Sequence, residues 1–229
     1  MNDIGIDRNL DWQRIKHLYK IGIIAALMVL AGDMILGWGV TDASLSGFDA
    51  YFSRYLTVSD FRIITSAILG LIGIPIECLS FFSIYRLIVP YSEQRAHALR
   101  TGILGSLTFG SFVHVSCCAL VYFGKIIYTY EQVNASERIM RFALAFLMPE
   151  TVLFLVFYLI MAINQIKAFK NSETPYPANC WIFSVLSGFV VIIIMKLAGN
   201  HPLAYALSTG WISIGVLWMY GGLLMKCPK

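Results

Sequence analysis

The chain has 229 residues, of which 58% are hydrophobic and 13% charged, and its net charge is +4. Soluble domains average about 25% charged residues, so this composition excludes an ordinary soluble protein and indicates a bilayer. The basic residues are scattered or lie beside apolar runs, which excludes a nucleic-acid partner and gives these residues a role in membrane topology.

Six apolar segments follow one another along the chain, each close to the ~20 residues that a membrane-spanning helix needs. The segments are 18–40, 63–89, 101–128, 142–166, 181–197 and 203–225. Nearly the whole chain consists of these segments. We therefore predict an all-α fold, a polytopic transmembrane helical bundle of about six spans that forms a single domain over residues 1–229.

The first external loop, between the first two spans, carries apolar residues at helical spacing. Leu45, Phe48, Phe52, Tyr55 and Leu56 fall at positions i, i+3, i+7, i+10 and i+11. This stripe predicts a short amphipathic helix, which we expect to lie at the outer membrane interface. There it could cover a site between the spans. A loop that packs on the helix ends is the alternative.

The distribution of lysine and arginine predicts the orientation of the chain. Eleven of the seventeen basic residues fall on the side that holds both termini, and six fall on the other side. Cytoplasmic loops carry the excess of basic residues in membrane proteins. The sequence therefore predicts a multi-pass protein with both termini in the cytoplasm.

Four ionisable residues lie inside the predicted spans, one on each of the first four: Asp33, Glu77, His114 and Glu150. A charged group at the bilayer centre costs ~3 kcal/mol or more, so such groups are candidates for function by default. When the direction of each span is considered, all four lie between the middle of the membrane and its outer face. They predict one shared polar pocket. In the alternative reading, these side chains only fix the packing of the helices.

The third span supports this convergence. Gly102, Ser106, Gly110, His114 and Cys118 recur every four residues. Rows of small residues let neighbouring helices approach closely in membranes. We therefore expect His114 to be held against other helices.

Carboxylates and an imidazole in a low-dielectric pocket are the groups that general acid–base catalysis uses. We predict Asp33, Glu77 and Glu150 as acid–base residues, with His114 as their partner. The sequence lacks HExxH, CxxC and histidines paired at helical spacing, so we predict no cofactor. A divalent metal bound by His114 with the carboxylates is the alternative. No basic cluster lies at the depth of the pocket, which disfavours a phosphate-rich substrate.

Several aromatic and polar side chains fall at similar, outer-half depths and could line a pocket for an apolar ligand. The predicted ligand-binding residues are Trp38, Tyr122, Asn200, His201, Tyr205 and Trp211. Aromatic residues at a membrane interface and turn residues at Asn200 and His201 are the alternative explanations.

Two short segments carry a resemblance to known proteins. The segment Gly-Asp-Met-Ile-Leu-Gly-Trp that ends at Trp38 and the segment His-Val-Ser-Cys-Cys that begins at His114 resemble those of small six-helix bacterial membrane proteins of unassigned function. The resemblance covers most of the chain. It implies a bacterial inner (plasma) membrane and implies nothing about chemistry.

Three functional hypotheses follow from these observations. In the first, the protein acts by acid–base chemistry on a small apolar or lipid-like molecule, or binds one, in contact with membrane lipids. The second is a small proton-coupled transporter or permeation protein, against which the apolar inner halves of the spans count. The third is a non-catalytic membrane partner or immunity-type protein, in which the buried charges serve packing alone.

Overall fold

The computed structural model describes residues 10–130 and 134–227, and these residues form helices, turns and loops without a β-strand. The α-helices in chain order are α1 Trp12–Gly37, α2 Gly47–Leu56, α3 Asp60–Ser80, α4 Phe82–Ile88, α5 Glu93–Tyr130, α6 Ala135–Phe142, α7 Met148–Lys170, α8 Gly188–Leu197, α9 Pro202–Thr209 and α10 Trp211–Met225. A π-helical turn, Ala143–Leu147, joins α6 to α7.

Four helical segments of the described chain are long and apolar enough to cross a membrane. They are Trp12–Gly37, Asp60–Ile88, Glu93–Tyr130 and Ala135–Lys170. Each corresponds to one of the first four predicted spans. Polar caps determine where two of them begin, because Asp11 accepts a hydrogen bond from the Arg14 amide at 3.0 Å and Ser59 accepts one from the Arg62 amide at 3.4 Å.

The predicted fifth span, 181–197, is not one continuous helix. Its first part consists of the 3-10 turns Ala178–Ile182 and Val185–Ser187, and only the 10 residues of α8 are α-helical. The backbone turns here because the Ser184 side chain accepts a hydrogen bond from the Leu186 amide at 3.3 Å. A helix of 10 residues is about 15 Å long, half the ~30 Å thickness of a bilayer core.

The predicted sixth span, 203–225, is interrupted at Gly210, where α9 and α10 meet at an angle of 66°. The described chain therefore contains four candidate spans, or five if the bent pair counts as one. The all-helical prediction is confirmed at this level, and six spans are not confirmed.

The last third of the chain runs along the bundle and returns. The Tyr176 hydroxyl donates a hydrogen bond to the Leu223 carbonyl at 3.1 Å, and its ring lies 5.9 Å from that of Trp12 at the start of α1. Asn200 instead exchanges hydrogen bonds with the backbone of Thr41, beyond the end of α1. We call these opposite ends of the bundle the Tyr176 end and the Asn200 end.

A short helix is present in the first loop, as the apolar stripe predicts. In α2, Phe52 and Tyr55 are buried, whereas Leu45 precedes the helix and is exposed. The Phe52 ring stacks on Tyr128 of α5 at a centroid distance of 5.3 Å. The helix thus packs on the Asn200 end of the bundle, and its position at a membrane interface stays a prediction.

Candidate functional site

A cavity of about 320 Å³ lies within the bundle, between α1, α3, α5, α7 and α10. Asp33, Glu77 and His114 all line it, each from a different helix. All three side chains are buried. Three of the four ionisable residues predicted from the sequence therefore converge on one cavity; their chemical roles stay predictions.

His114 is held by two of its neighbours through both ring nitrogens. Its Nε2 lies 2.9 Å from the Ser66 carbonyl oxygen, and its Nδ1 lies 3.4 Å from Asp33 Oδ1. A carbonyl oxygen only accepts hydrogen bonds, so Nε2 carries a proton and donates it. One further proton is then available between Nδ1 and the Asp33 carboxylate. While the two groups share that proton, the pair of residues carries no net charge.

The close approach of α3 to α5 makes room for this ring. A Cβ atom at Gly70 would lie 2.1 Å from His114 Cδ2, so any larger residue would occupy the space of the imidazole. The predicted row of small residues on α5 is also buried as expected: Gly102, Ser106, Gly110, His114 and Cys118 are all buried. Small residues on both helices therefore position the histidine.

Glu77 differs from Asp33 because its carboxylate is not satisfied within the protein. The residue is only 5% exposed, and its Oε2 has no hydrogen-bond partner. The buried hydroxyls of Ser106 and Ser213 also lack partners, and both residues line the same cavity. Buried polar groups in proteins are nearly always hydrogen-bonded, so three unsatisfied groups at one cavity require an explanation.

Glu150, the fourth predicted acid–base residue, is placed elsewhere. It is not among the residues that line the cavity, and it is half-buried. Its Oε2 accepts a hydrogen bond from the Ser116 hydroxyl at 2.7 Å. The residue thus has a partner within the protein, although it lies at the start of α7, whose later turns contribute to the cavity wall.

Aromatic rings form much of the remaining wall. Phe81, Phe154, Tyr158 and Trp211 all line the cavity. The Tyr158 hydroxyl donates a hydrogen bond to the Val185 carbonyl at 3.1 Å, which satisfies it within the protein. Its ring packs edge-on against Trp211 with a centroid distance of 5.9 Å. The cavity therefore combines an apolar and aromatic wall with a few polar groups.

Of the six residues predicted to bind a ligand, only Trp211 lines this cavity. Trp38 is 46% exposed and borders a separate surface cleft with Arg62. The other four have structural contacts outside the cavity. Tyr122 packs beside the cluster around Phe52, and Asn200 binds the Thr41 backbone. His201 caps α9, and Tyr205 contacts Arg54.

The sequence did not identify Ser213, Phe81 and Phe154 as cavity residues. Ser213 lies in an apolar run and Phe81 at the break between α3 and α4, so neither position carries a signal that distinguishes it from a packing residue. Depth along a span can be read from the sequence. The direction in which a side chain points requires the arrangement of the helices.

The arrangement of donors does not favour a metal ion. Among residues 10–130 and 134–227, no group of three or more histidine, cysteine, aspartate or glutamate side chains is placed so that it could hold one. A divalent metal bound by His114 with the carboxylates stays an untested alternative.

These features define an all-helical protein with a buried, partly polar cavity. The whole chain, residues 1–229, matches DUF6796, a family of unknown function, and it belongs to that family. No curated protein and no solved structure gives a significant match to the chain. The family agrees with the resemblance to proteins of unassigned function and assigns no chemistry to the cavity.

Proposed function

We propose that this protein is an integral membrane protein whose cavity binds a small, largely apolar or lipid-like molecule and supplies acid–base groups to it. One observation carries the proposal. Glu77, Ser106 and Ser213, whose buried side-chain oxygens include atoms without a hydrogen-bond partner, all line one cavity whose wall is otherwise mainly apolar. Ligand sites in proteins have this composition, with few polar groups that orient the ligand.

The size of the cavity also supports a ligand. Its volume of about 320 Å³ falls at the lower end of the range for small-molecule sites. Unsatisfied buried polar groups cost free energy until a ligand or water supplies their partners. A molecule with an apolar body and one polar group would fill the volume and satisfy Glu77 and the serines together.

The acid–base part of the proposal rests on the Asp33–His114 pair. Because Nε2 is used by the Ser66 carbonyl, the exchangeable proton of the pair lies between Nδ1 and Asp33. The pair can give that proton to a bound molecule or take one back. Glu77, on the same cavity, supplies the second group that general acid–base chemistry needs.

The membrane placement is part of the same proposal. The excess of basic residues on the side of both termini supports a cytoplasmic location for the Tyr176 end, in the inner (plasma) membrane. We propose six crossings. The four long helices make the first four, the irregular segment from Tyr176 to Asn200 makes the fifth, and the bent pair α9 and α10 returns the chain.

A cavity-filling variant tests the binding function. Ser106→Leu places a larger apolar side chain at the cavity wall, whereas Thr108→Leu, on the same helix, changes an exposed residue. With naphthylethanol as a neutral apolar probe, we expect the probe to raise the unfolding temperature of the wild-type protein and of Thr108→Leu, but not that of Ser106→Leu. Equal shifts in all three proteins would show that the probe binds outside the cavity.

A second candidate function, proton-coupled transport, is supported by buried hydroxyls that continue from the cavity toward the Tyr176 end. The Ser80 hydroxyl donates to the Glu77 carbonyl at 2.5 Å and so accepts from the Tyr220 hydroxyl at 2.6 Å. The Tyr19 ring follows at 5.4 Å from that of Tyr220. In proteoliposomes, transport requires that a pH gradient drives proton flux and that Tyr220→Phe reduces it; flux insensitive to the gradient would exclude this function.

A further inference from the structure

We propose that the ligand of the cavity is an organic ammonium, a protonated amine with an apolar or aromatic body, whose nitrogen binds the Glu77 carboxylate. This inference rests on the proposed binding function and specifies its ligand class. It follows from the balance of charge in the cavity, from the aromatic wall and from the geometry of the polar groups.

The charge balance of the cavity leaves one group without a counterpart. No lysine or arginine is among the described residues that line it. Asp33 has a basic partner, because its Oδ1 lies 3.4 Å from His114 Nδ1. Glu77 remains, with an Oε2 that no protein donor reaches. A cationic donor would hold Glu77 in its ionised form, because an ionised carboxylate accepts hydrogen bonds only and a cationic donor gives the strongest such bond.

The two unpartnered serines suit the same ligand. The hydroxyls of Ser106 and Ser213 can each accept a hydrogen bond through their lone pairs. An ammonium group has up to three N–H donors. Glu77 and the two serines line one cavity from α3, α5 and α10, and each residue carries an oxygen that can accept a hydrogen bond. The number and type of unsatisfied protein groups therefore match those of an amine.

The aromatic wall also favours a cation. Phe81, Phe154, Tyr158 and Trp211 line the cavity, and a ring attracts a cation placed over its face. Where the cation is removed from water, this attraction adds to that of the carboxylate. The same rings provide apolar surface for the body of the ligand. An amine with an aromatic or alkyl body uses both properties of the wall.

Two other ligand classes fit less well. An anionic group, such as a phosphate or a fatty-acid carboxylate, would meet the Glu77 carboxylate without any basic side chain among the described lining residues. Like charges in a low-dielectric site repel strongly. A metal cation lacks a suitable donor group, since no three potential ligand side chains are grouped within residues 10–130 and 134–227. The cation is therefore organic.

Three probes of similar shape and different charge test this inference on the full chain in detergent. They are naphthylethylamine, naphthylethanol and naphthylacetate, which present an ammonium, a hydroxyl and a carboxylate on the same ring system. We expect the amine to bind the wild-type protein tightest, with a Kd on the order of tenfold below that of the alcohol, and the carboxylate to bind weakest. This comparison uses only the wild-type protein, so it does not depend on whether any variant folds.

Matched variants then assign the preference to one carboxylate. Glu77→Gln keeps the shape and removes the charge, so the amine should lose its advantage over the alcohol. Glu150→Gln changes an intramembrane glutamate that is not part of the cavity lining, and the advantage should persist. If the alcohol binds the wild-type protein as tightly as the amine, the amine inference is overturned while the binding function stands. If none of the probes binds, both fail.

Discussion

His114 illustrates how much of the site depends on one small residue. The imidazole occupies the space in which a side chain at Gly70 would lie, and its two nitrogens reach Ser66 and Asp33 from that position. The proton between Nδ1 and Asp33 is therefore positioned by the close contact of α3 and α5. A change at Gly70 should affect the site without altering any polar group.

The variant Gly70→Ala tests this contact. The added methyl would lie 2.1 Å from His114 Cδ2, so the ring must move or the helices must separate, which should lower the free energy of unfolding by about 1–3 kcal/mol. Gly221→Ala is the control, because a Cβ there meets nothing within 4 Å and alanine favours helix. Thermal unfolding in detergent measures both. Equal stability of the two variants would contradict the described position of His114.

A substitution at Glu77 distinguishes a functional role of this carboxylate from a role in helix packing. Its Oε2 has no partner, so Glu77→Met, which removes the polar group at similar length, should raise the free energy of unfolding by roughly 1 kcal/mol or more. The matched change Glu150→Met removes the acceptor of the Ser116 hydrogen bond and should not stabilise the protein. Chemical denaturation of the two variants provides the comparison. A loss of stability in Glu77→Met would instead favour a purely structural role for the carboxylate.

The residues of the site could be predicted from the sequence only in part. A charge inside an apolar span is informative wherever it occurs, so Asp33, Glu77 and His114 could be found without a structure. Glu150 carries the same signal, yet it binds Ser116 and does not line the cavity. Trp38 is predicted to bind a ligand but lies on the surface of the bundle. Whether a side chain faces the cavity depends on the rotation of its helix about the helix axis, and the sequence does not specify that rotation.

At the scale of elements, α2 is attached to the last third of the chain by one buried cation. The Arg54 side chain, 7% exposed, places its guanidinium 4.3 Å from the Tyr51 ring centroid, 4.6 Å from that of Tyr55 and 4.7 Å from that of Tyr205 on α9. Arg54 also donates a hydrogen bond to the Tyr55 hydroxyl. The cation therefore links α2 to α9 at the Asn200 end.

Two substitutions of Tyr205 test this link. Tyr205→Leu removes a ring face from Arg54 and should weaken the attachment of α2 by about 1 kcal/mol. Tyr205→Phe keeps the ring and loses only the weak contact of its hydroxyl with Thr41 at 3.4 Å. Hydrogen exchange of the amides in Gly47–Leu56 should speed up in the first variant and stay close to wild type in the second. Unchanged exchange in both would show that the contact between Arg54 and Tyr205 does not hold α2 in place.

The long helices and the irregular segment differ in how well the sequence predicts them. The first four predicted spans each correspond to a long helical segment that is apolar enough to cross a membrane, and polar caps begin two of these segments. The segment 181–197 is equally apolar. Its first part is not α-helical, and the Ser184 hydroxyl accepts a hydrogen bond from the Leu186 amide there. At Gly188 the backbone packs so closely on α10 that an added Cβ atom would lie 2.0 Å from the Trp211 carbonyl oxygen. Mean hydropathy depends only on which residues a segment contains, so it does not reveal such contacts.

For the whole molecule, the distribution of charge and the path of the chain support the proposed topology. In the predicted topology, eleven of the seventeen basic residues fall on the side of both termini. The loop after α1 and Asn200 lie together at the other end. The cavity lies between these ends, within the four long helices and α10.

Thiol labelling tests the topology. Cys227 lies beyond the end of α10 at the Tyr176 end, whereas Ala43 is exposed in the loop at the Asn200 end. In intact cells, a membrane-impermeant maleimide should label Ala43→Cys in a Cys227→Ser background and should leave Cys227 of the wild-type protein unlabelled. After permeabilisation, Cys227 should react. Labelling of Cys227 in intact cells would contradict the proposed orientation and indicate the opposite one.

The central claim is that the cavity between Asp33, Glu77 and His114 is a ligand site with Glu77 as its polar anchor. An experimental structure of the full chain, determined with naphthylethylamine present, tests it most directly. We predict the naphthyl ring among Phe81, Phe154 and Trp211 and the amine nitrogen within hydrogen-bond distance of Glu77. A structure in which the cavity is closed and Glu77 is bonded to a protein group, with the probe absent, would contradict the claim.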